Sequence, residues 1–113
     1  MALRNLKKIF DAGILVALGT DSGAQPIRAQ GFSEHLELQL MVDAGLTPLQ
    51  AIAVATRNSC QALKVKNQGT LAPGMNADFI VLNENPAGNI KATRFIYAVW
   101  KNGMQVSNGP QGL

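Results

Sequence analysis

The sequence has few of the residues that form disulfides, bind metals or stack, with one cysteine, one histidine and 5% aromatic residues among 113. Cys60 has no second cysteine for an internal disulfide, so nothing indicates an oxidising compartment, and we expect a cytoplasmic protein. Apolar runs such as residues 14–18 are far shorter than the roughly 20 residues that cross a bilayer, and the first residues given do not have the pattern of a signal peptide. These absences exclude a disulfide scaffold and a transmembrane protein, and we expect no membrane partner.

Charged residues are sparse and mixed in sign. They make up 15% of the chain, and ten basic side chains are spread among seven acidic ones. Only Lys7 and Lys8 adjoin, and Tyr97 and Trp100 lie far from them in the sequence. Because no basic stripe is interleaved with stacking aromatics, we expect no nucleic-acid partner. The 47% hydrophobic content instead predicts a packed core, and the length fits one small domain.

The first half of the chain carries signals for helices. Apolar residues at helical spacing predict a helix over about residues 3–12, ended by Gly13. A second helix is expected over about residues 34–44, capped by Ser33 and ended by Gly45.

A third helix is predicted from its start signal. Thr47 supplies a capping side chain, Pro48 occupies the first helical position, and Gln50 stands where a capping box needs it. The apolar face that follows predicts a helix to about Lys64.

Residues 14–18, between the first two predicted helices, form a continuous apolar run. Such a run predicts a parallel strand with both faces covered, and a parallel strand needs a parallel neighbour. Residues 19–23, Gly-Thr-Asp-Ser-Gly, then leave the strand at its carboxyl end. Barrels and open α/β sheets carry their ligands and their chemistry at that end.

Beyond Lys66 the pattern changes to that of antiparallel strands. Strands are expected over residues 77–82, 95–101 and 104–106. Residues 72–75 predict a type II turn before the first of them, and Asn102-Gly103 predicts a type I′ turn between the last two. One parallel strand is left without a partner, and unpaired edges are rare in compact proteins. The set of predicted helices and strands therefore indicates that part of the domain is missing from this chain.

A series of motifs indicates what the missing part is. In chain order they are Leu18-Gly19-Thr20-Asp21-Ser22-Gly23, His35-Leu36-Glu37-Leu38, Ala44-Gly45-Leu46-Thr47-Pro48, Ala55-Thr56-Arg57-Asn58 and residues 69–79. Together they closely resemble the C-terminal portion of the amidohydrolase superfamily, and within it the imidazolonepropionase-like and prolidase-like metal-dependent hydrolases. The resemblance covers residues 1 to about 106.

The resemblance implies an α/β fold, namely the C-terminal fragment of a (β/α)8 TIM barrel together with the C-terminal strands of a flanking small β-sandwich. A full barrel takes about 250 residues. Residues 1–66 would supply the end of the barrel, with helix 7, strand 8 and the following helices. Residues 67–113 would supply the C-terminal part of the sandwich, so the chain resembles the last part of an enzyme.

The resemblance also implies a site at Asp21. This residue matches the family's aspartate at the end of the eighth strand, which implies a general acid/base and a metal contact. The full-length enzyme would use metal-activated water to hydrolyse the C–N bond of a small-molecule amide, cyclic amide or dipeptide-like substrate. The implied cofactor is a divalent metal, and we expect zinc.

The family's other metal ligands have no counterpart in this sequence, which contains one histidine and no His-x-His pair. Three protein ligands are the usual minimum for catalytic zinc. We therefore expect the 113-residue chain alone to bind little or no metal and to be inactive.

Plain structural roles compete with the chemical ones. Asp21, taken apart from the resemblance, is a typical turn or cap residue. His35 lies near a helix start in a motif that the family does not use for metal, and Cys60 lies on an apolar helix face. Ser22 has no base partner in the chain, so a serine-hydrolase triad is unsupported.

A function of a different class also stays open. The unpaired strand over residues 14–18 predicts a non-catalytic fragment that self-associates through open strand edges. Such a fragment would form a homo-oligomer.

Overall fold

The computed structural model describes residues 2–23 and 29–107, and its helices precede its sheet. The helical part consists of α1 (Ala2–Asp11), α2 (Ser33–Asp43), α3 (Pro48–Ala53), a π-helical turn (Val54–Asn58) and α4 (Ser59–Ala62). The sheet part consists of β1 (Phe79–Leu82), a 3-10 helix (Ile90–Arg94), β2 (Ile96–Lys101) and β3 (Met104–Ser107). Within the described ranges, no helix has the length and apolar character needed to cross a membrane.

One hydrophobic core lies where α2, α3 and the π-helical turn meet. Its buried side chains are Leu38, Met41, Leu46, Ala51, Val54 and Ile90. Leu6 and Phe10 of α1 pack against this cluster, and Ile90 connects the sheet part to it. Each large apolar side chain removed from water stabilises the fold by roughly 1.5–3 kcal/mol, so the cluster holds the helices in a fixed arrangement.

The helix ends predicted at Gly13 and Gly45 are confirmed. Gly45 has a φ of 113°, and its N–H donates to the Val42 carbonyl at 2.9 Å, while the Leu46 N–H donates to the Met41 carbonyl at 3.2 Å. This pair of bonds is a Schellman motif, which satisfies carbonyls that a helix end leaves without partners. Gly13, with a φ of 78°, ends α1 in the same way.

The capping box predicted at Thr47 is also confirmed. Thr47 Oγ1 accepts the N–H of Gln50 at 3.2 Å, and Gln50 Oε1 accepts the N–H of Thr47 at 2.9 Å. From Pro48 the helical path continues through the π-helical turn and α4, as the predicted third helix requires.

Ser33 is not the N-cap of α2, so that prediction is wrong. Ser33 is the first helical residue, and Phe32 takes the cap position without a side-chain hydrogen bond. The Ser33 N–H donates to the Ala29 carbonyl at 3.0 Å, and the His35 N–H donates to the Phe32 carbonyl at 3.1 Å. Because a turn from Ala29 already leads into the helix, backbone carbonyls take the N–H groups that a capping side chain would bind.

The C-terminal strands form one antiparallel sheet in the order β1-β2-β3. Asn102 and Gly103 have φ angles of 51° and 76°, as the predicted type I′ hairpin requires. Gly74, with a φ of 86°, occupies the third position of the predicted type II turn. Phe79 pairs with Trp100 across β1 and β2, and their rings stack with centroids 5.7 Å apart.

The parallel strand predicted over residues 14–18 is not formed in this chain. The segment has no regular secondary structure, and the sheet found among the described residues consists of the C-terminal strands alone. Val16 and Leu18 pack against the core, whereas Ile14 and Leu15 are 58% and 44% exposed. A parallel strand needs a neighbour for its N–H and C=O groups, and the described residues place none beside this segment.

The chain therefore has α/β content with helices before strands. The division into barrel residues 1–66 and sandwich residues 67–113 stays a prediction.

Candidate functional site

Asp21 follows the irregular segment that leads away from the core. Its backbone has a φ of 56°, in the left-handed region that aspartate tolerates better than most residues, and the residue is exposed. Among the described residues, no hydrogen bond engages its carboxylate. The carboxylate is thus presented to solvent.

The two neighbours of Asp21 are bound to one carboxylate, that of Glu34 in the first turn of α2. The Ser22 hydroxyl donates to Glu34 Oε1 at 2.5 Å, and the Thr20 hydroxyl donates to the same oxygen at 3.3 Å. Glu34 Oε2 accepts the N–H of Gly31 at 2.8 Å. The Thr20 oxygen in turn accepts the N–H of Ser22 at 3.1 Å. Glu34 therefore ties the segment around Asp21 to the start of α2.

These hydrogen bonds set the ionisation of Glu34. The bond from the Ser22 hydroxyl is the largest cause that lowers the pKa of Glu34 below its usual value, followed by its own backbone N–H. Burial opposes these two effects and is the third largest cause, and the Gly31 N–H and then the Thr20 hydroxyl lower this pKa further. Hydrogen bonds to the charged form of a carboxyl favour that form, so Glu34 is an anion at neutral pH.

The segment that leads to Asp21 is anchored at its other end by Ser59. The Leu18 N–H donates to Ser59 Oγ at 3.0 Å, and Ser59 Oγ donates to the Val54 carbonyl at 2.7 Å. Val54 is the first residue of the π-helical turn and Ser59 directly follows its last, and π-helical turns are frequent at functional sites. The helix that carries the Ala-Thr-Arg-Asn motif thus positions the approach to Asp21.

His35 lies one residue after Glu34 and contacts a different element. Its Nδ1 lies 3.0 Å from the Thr93 hydroxyl oxygen, and the Thr93 hydroxyl donates to the Ile90 carbonyl at 3.0 Å. Because a hydroxyl has one proton, a Thr93 hydroxyl that donates to Ile90 accepts from His35, with an imidazole proton on Nδ1. Burial, and next the Arg94 charge, lower the pKa of His35, while Glu34 raises it less.

An open and mostly apolar groove of about 820 Å³ lies between the helices and β1. His35, Cys60 and Asp78 line it, and Asp21 is not among its lining residues. The Asp78 carboxylate accepts the N–H of Asn102 at 2.8 Å, so it serves the hairpin. The groove and the Asp21 segment are therefore separate features.

The described residues do not form a metal centre by themselves. Across residues 2–23 and 29–107, no three His, Cys, Asp or Glu side chains lie close enough together to hold a metal ion. Asp21 can supply one oxygen ligand, and a catalytic zinc usually needs three protein ligands.

The sequence interpretation missed the roles of Glu34 and Ser59 at this site. Glu34 attracts notice in the sequence only as an acidic residue in a first helical turn, where negative charge is favoured. A usable signal was the hydroxyl on each side of Asp21, since Thr20 and Ser22 need acceptors when they are partly buried.

The sequence matches the model of the Amidohydrolase family over residues 2–106, so the chain belongs to that family. The imidazolonepropionase of Deinococcus deserti is 37% identical over 106 residues, which cover 88% of this chain and 26% of that protein. The ochratoxinase of Aspergillus niger is 41% identical over 116 aligned positions, which cover 96% of this chain and 22% of that protein. The chain thus spans about a quarter of the length of these relatives.

Solved structures agree with this membership. The A. niger ochratoxinase structure superposes with a TM-score of 0.80 at 36% identity, over 96% of this chain and 25% of that one. A Xaa-Pro dipeptidase with bound methionine in its active site superposes with a TM-score of 0.81 at 25% identity, over 93% of this chain and 25% of that one. The fold of the chain is similar to the corresponding quarter of these enzymes.

Proposed function

We propose that this chain is the C-terminal part of a metal-dependent amidohydrolase in which Asp21 is the general acid/base. Family membership over residues 2–106 supports the reaction class. The observation that carries the residue assignment is that both neighbours of Asp21 are anchored on Glu34 while the Asp21 residue itself stays exposed. An anchored segment with an exposed carboxylate is suited to proton transfer at a fixed position.

In the proposed full-length enzyme, residues 1–66 complete a (β/α)8 barrel and residues 67–113 add the C-terminal strands of a β-sandwich. Residues 14–18 would then form the eighth strand once neighbouring strands pair with it. The exposure of Ile14 and Leu15 supports this role, because adjacent barrel elements would cover such side chains.

Asp21 would act twice on one proton. Its carboxylate accepts a proton from the attacking water, and it then returns the proton to the departing nitrogen as the C–N bond breaks. A divalent metal, which we propose to be zinc, supplies acidified water when it is bound. Asp21 would be one of its ligands. The others would come from the part of the full-length protein that corresponds to the three quarters of the relatives not covered by this chain.

The proposed substrate is a small amide, a cyclic amide or a dipeptide-like molecule. The first substrates to test are suggested by the names of the relatives, which are imidazolonepropionase, ochratoxinase and Xaa-Pro dipeptidase. We propose that the isolated 113-residue chain is inactive, because the described residues lack a group of three metal ligands.

The test uses the full-length protein and its Asp21→Asn variant. Turnover is measured on imidazolonepropionate, ochratoxin and Xaa-Pro dipeptides. Asp21→Asn keeps the shape of the side chain but removes the proton acceptor, so kcat should fall by about 10²–10⁴-fold.

Asp43→Asn is the matched control. Asp43 is an exposed carboxylate at the end of α2, and its amide variant should retain the original kcat. Near-normal turnover of Asp21→Asn, at unchanged metal content, would remove the proton-transfer role.

A second candidate function rests on the same exposed segment. Ile14 and Leu15, at 58% and 44% exposure, offer apolar surface through which the chain alone could form a homo-oligomer. Size-exclusion chromatography with light scattering on the 113-residue chain tests this. A stable monomer at high concentration would rule it out.

A further inference from the structure

Glu34 is the feature of this molecule that neither the family membership nor the proposed reaction accounts for. Three donors from two separated segments converge on its two oxygens, namely the hydroxyls of Thr20 and Ser22 and the N–H of Gly31. The first two donors flank Asp21 in the sequence. Twelve positions separate Ser22 from Glu34, so the contact is not a local capping interaction.

We infer that Glu34 is a positioning residue, which holds Asp21 in place for proton transfer by binding both of its neighbours. This inference rests on the proposed function, since it assigns Glu34 a role through Asp21. Glu34 does not itself serve as the acid or base in this account, because its two oxygens are already engaged by the Thr20, Ser22 and Gly31 donors.

The backbone conformation of Asp21 explains why its two neighbours need to be anchored. A φ of 56° lies in the left-handed region, which aspartate tolerates better than most residues but which is still less stable than the right-handed region, so contacts of the neighbouring residues help to hold it. Anchors immediately before and after Asp21 restrict the rotations that would relax this conformation. Charge-assisted hydrogen bonds to a carboxylate are stronger than neutral ones, which suits the task.

The chemistry of the site selects glutamate among similar residues. A carboxylate offers two acceptor oxygens, one for the hydroxyl pair and one for the Gly31 N–H. Glutamine keeps the length and can still bind both segments, because a hydroxyl can accept from the amide N–H, but in Glu34→Gln these hydrogen bonds lose the charge of the carboxylate. Alanine removes the hydrogen bonds to both segments. The loss of kcat should therefore be larger for Glu34→Ala than for Glu34→Gln.

The test is carried out on the full-length enzyme with the substrate that it turns over best in the panel named above. Glu34→Ala should lower kcat by about 10²-fold, the size expected when a reacting group is misplaced by about 1 Å. KM should stay within about twofold of the original protein, since the role is in positioning and not in substrate binding, and kcat is compared at equal metal content. Glu34→Gln should give an intermediate kcat.

A double-mutant cycle separates positioning from a general loss of stability. Ser22→Ala should lower kcat in the original protein but have little further effect in the Glu34→Ala background, because the two residues act through one contact. Amide hydrogen exchange of residues 20–22 should accelerate in Glu34→Ala and not in the control Glu84→Gln, which changes an exposed carboxylate in a loop. If Glu34→Ala fails to fold, Glu34→Gln and Ser22→Ala carry the same comparison.

The outcomes distinguish this inference from the proposed function. A Glu34→Ala enzyme with unchanged kcat, together with an inactive Asp21→Asn enzyme, overturns the positioning role and leaves the proposed reaction standing. An active Asp21→Asn enzyme overturns the assignment of Asp21 and with it the role of Glu34. Additive effects of Ser22→Ala and Glu34→Ala would also overturn the inference.

Discussion

Ser59 accepts the backbone N–H of Leu18 at 3.0 Å, although the two residues are 41 positions apart in the sequence. The same hydroxyl donates to the Val54 carbonyl at 2.7 Å. One side chain thus satisfies a polar group of the irregular segment and a carbonyl at the π-helical turn. This bridge fixes the direction from which the chain approaches Asp21.

Replacing Ser59 with alanine should destabilise the chain. The Leu18 N–H, which is partly buried, would lose its partner, while the Val54 carbonyl would keep only the backbone N–H of residue 59. A polar group left unsatisfied inside a protein costs about 1–3 kcal/mol. Urea unfolding of the 113-residue chain measures the change. Gln61→Ala, at an exposed position of α4, is the control and should stay within about 0.5 kcal/mol of the original. Equal stability of the two variants would show that the bridge contributes nothing.

Gly69 and Gly74 provide a matched pair for the effect of close packing. Both have positive φ angles, 96° and 86°, so alanine at either position incurs about 1–2 kcal/mol of backbone strain. At Gly69 the added Cβ would also lie 3.1 Å from the Thr56 carbonyl oxygen and from Cys60 Sγ, whereas at Gly74 it would meet nothing within 4 Å. Gly69→Ala should therefore be the more destabilising by about 1–3 kcal/mol.

Thermal unfolding of the two alanine variants checks this difference. Equal losses of stability would mean that Gly69 does not pack closely against the π-helical turn.

Acidification should weaken the fold through His35. Burial first, and the Arg94 charge second, lower the pKa of His35 in the folded chain, while the unfolded chain binds this proton near pH 6.5. The unfolded state therefore binds more protons as the pH falls below 6.5, and the free energy of unfolding decreases there. The contribution of His35 is complete above about pH 6.5 and is lost as the pH falls to the lowered pKa of the folded state.

Urea unfolding between pH 7 and pH 5 measures this dependence. The lower limit keeps Glu34 ionised, because its pKa lies below the usual value for glutamate. His35→Gln removes the titrating group and should flatten the pH dependence in this window. A slope that persists in His35→Gln would assign the effect to another group.

Local signals in the sequence predicted the turns and helix ends well. Thr47, Gly45 and the Asn102-Gly103 pair each specify a conformation through contacts within a few residues, and the structure has all of them. Ser33 is an exception of the same kind, since a turn that begins at Ala29 replaced the cap that serine could have supplied.

Contacts between distant segments could not be predicted in this way. The apolar run over residues 14–18 indicates a strand, but a strand also requires a partner, and the described residues do not provide one. Likewise, the pattern around Asp21 does not reveal that Glu34 and Ser59 contact its flanking residues, because only the tertiary fold brings α2 and α4 beside that segment. The family motif predicts a site at Asp21, whereas the contacts that hold its neighbours depend on tertiary structure.

The stack of Phe79 on Trp100 has a practical consequence, because Trp100 is the single tryptophan of the chain. Its fluorescence emission reports on the antiparallel strands alone, while far-ultraviolet circular dichroism at 222 nm is dominated by helical residues such as those of α1 and α2. The two spectroscopic signals therefore follow different halves of the polypeptide, and comparing their melting curves reveals whether those halves come apart together.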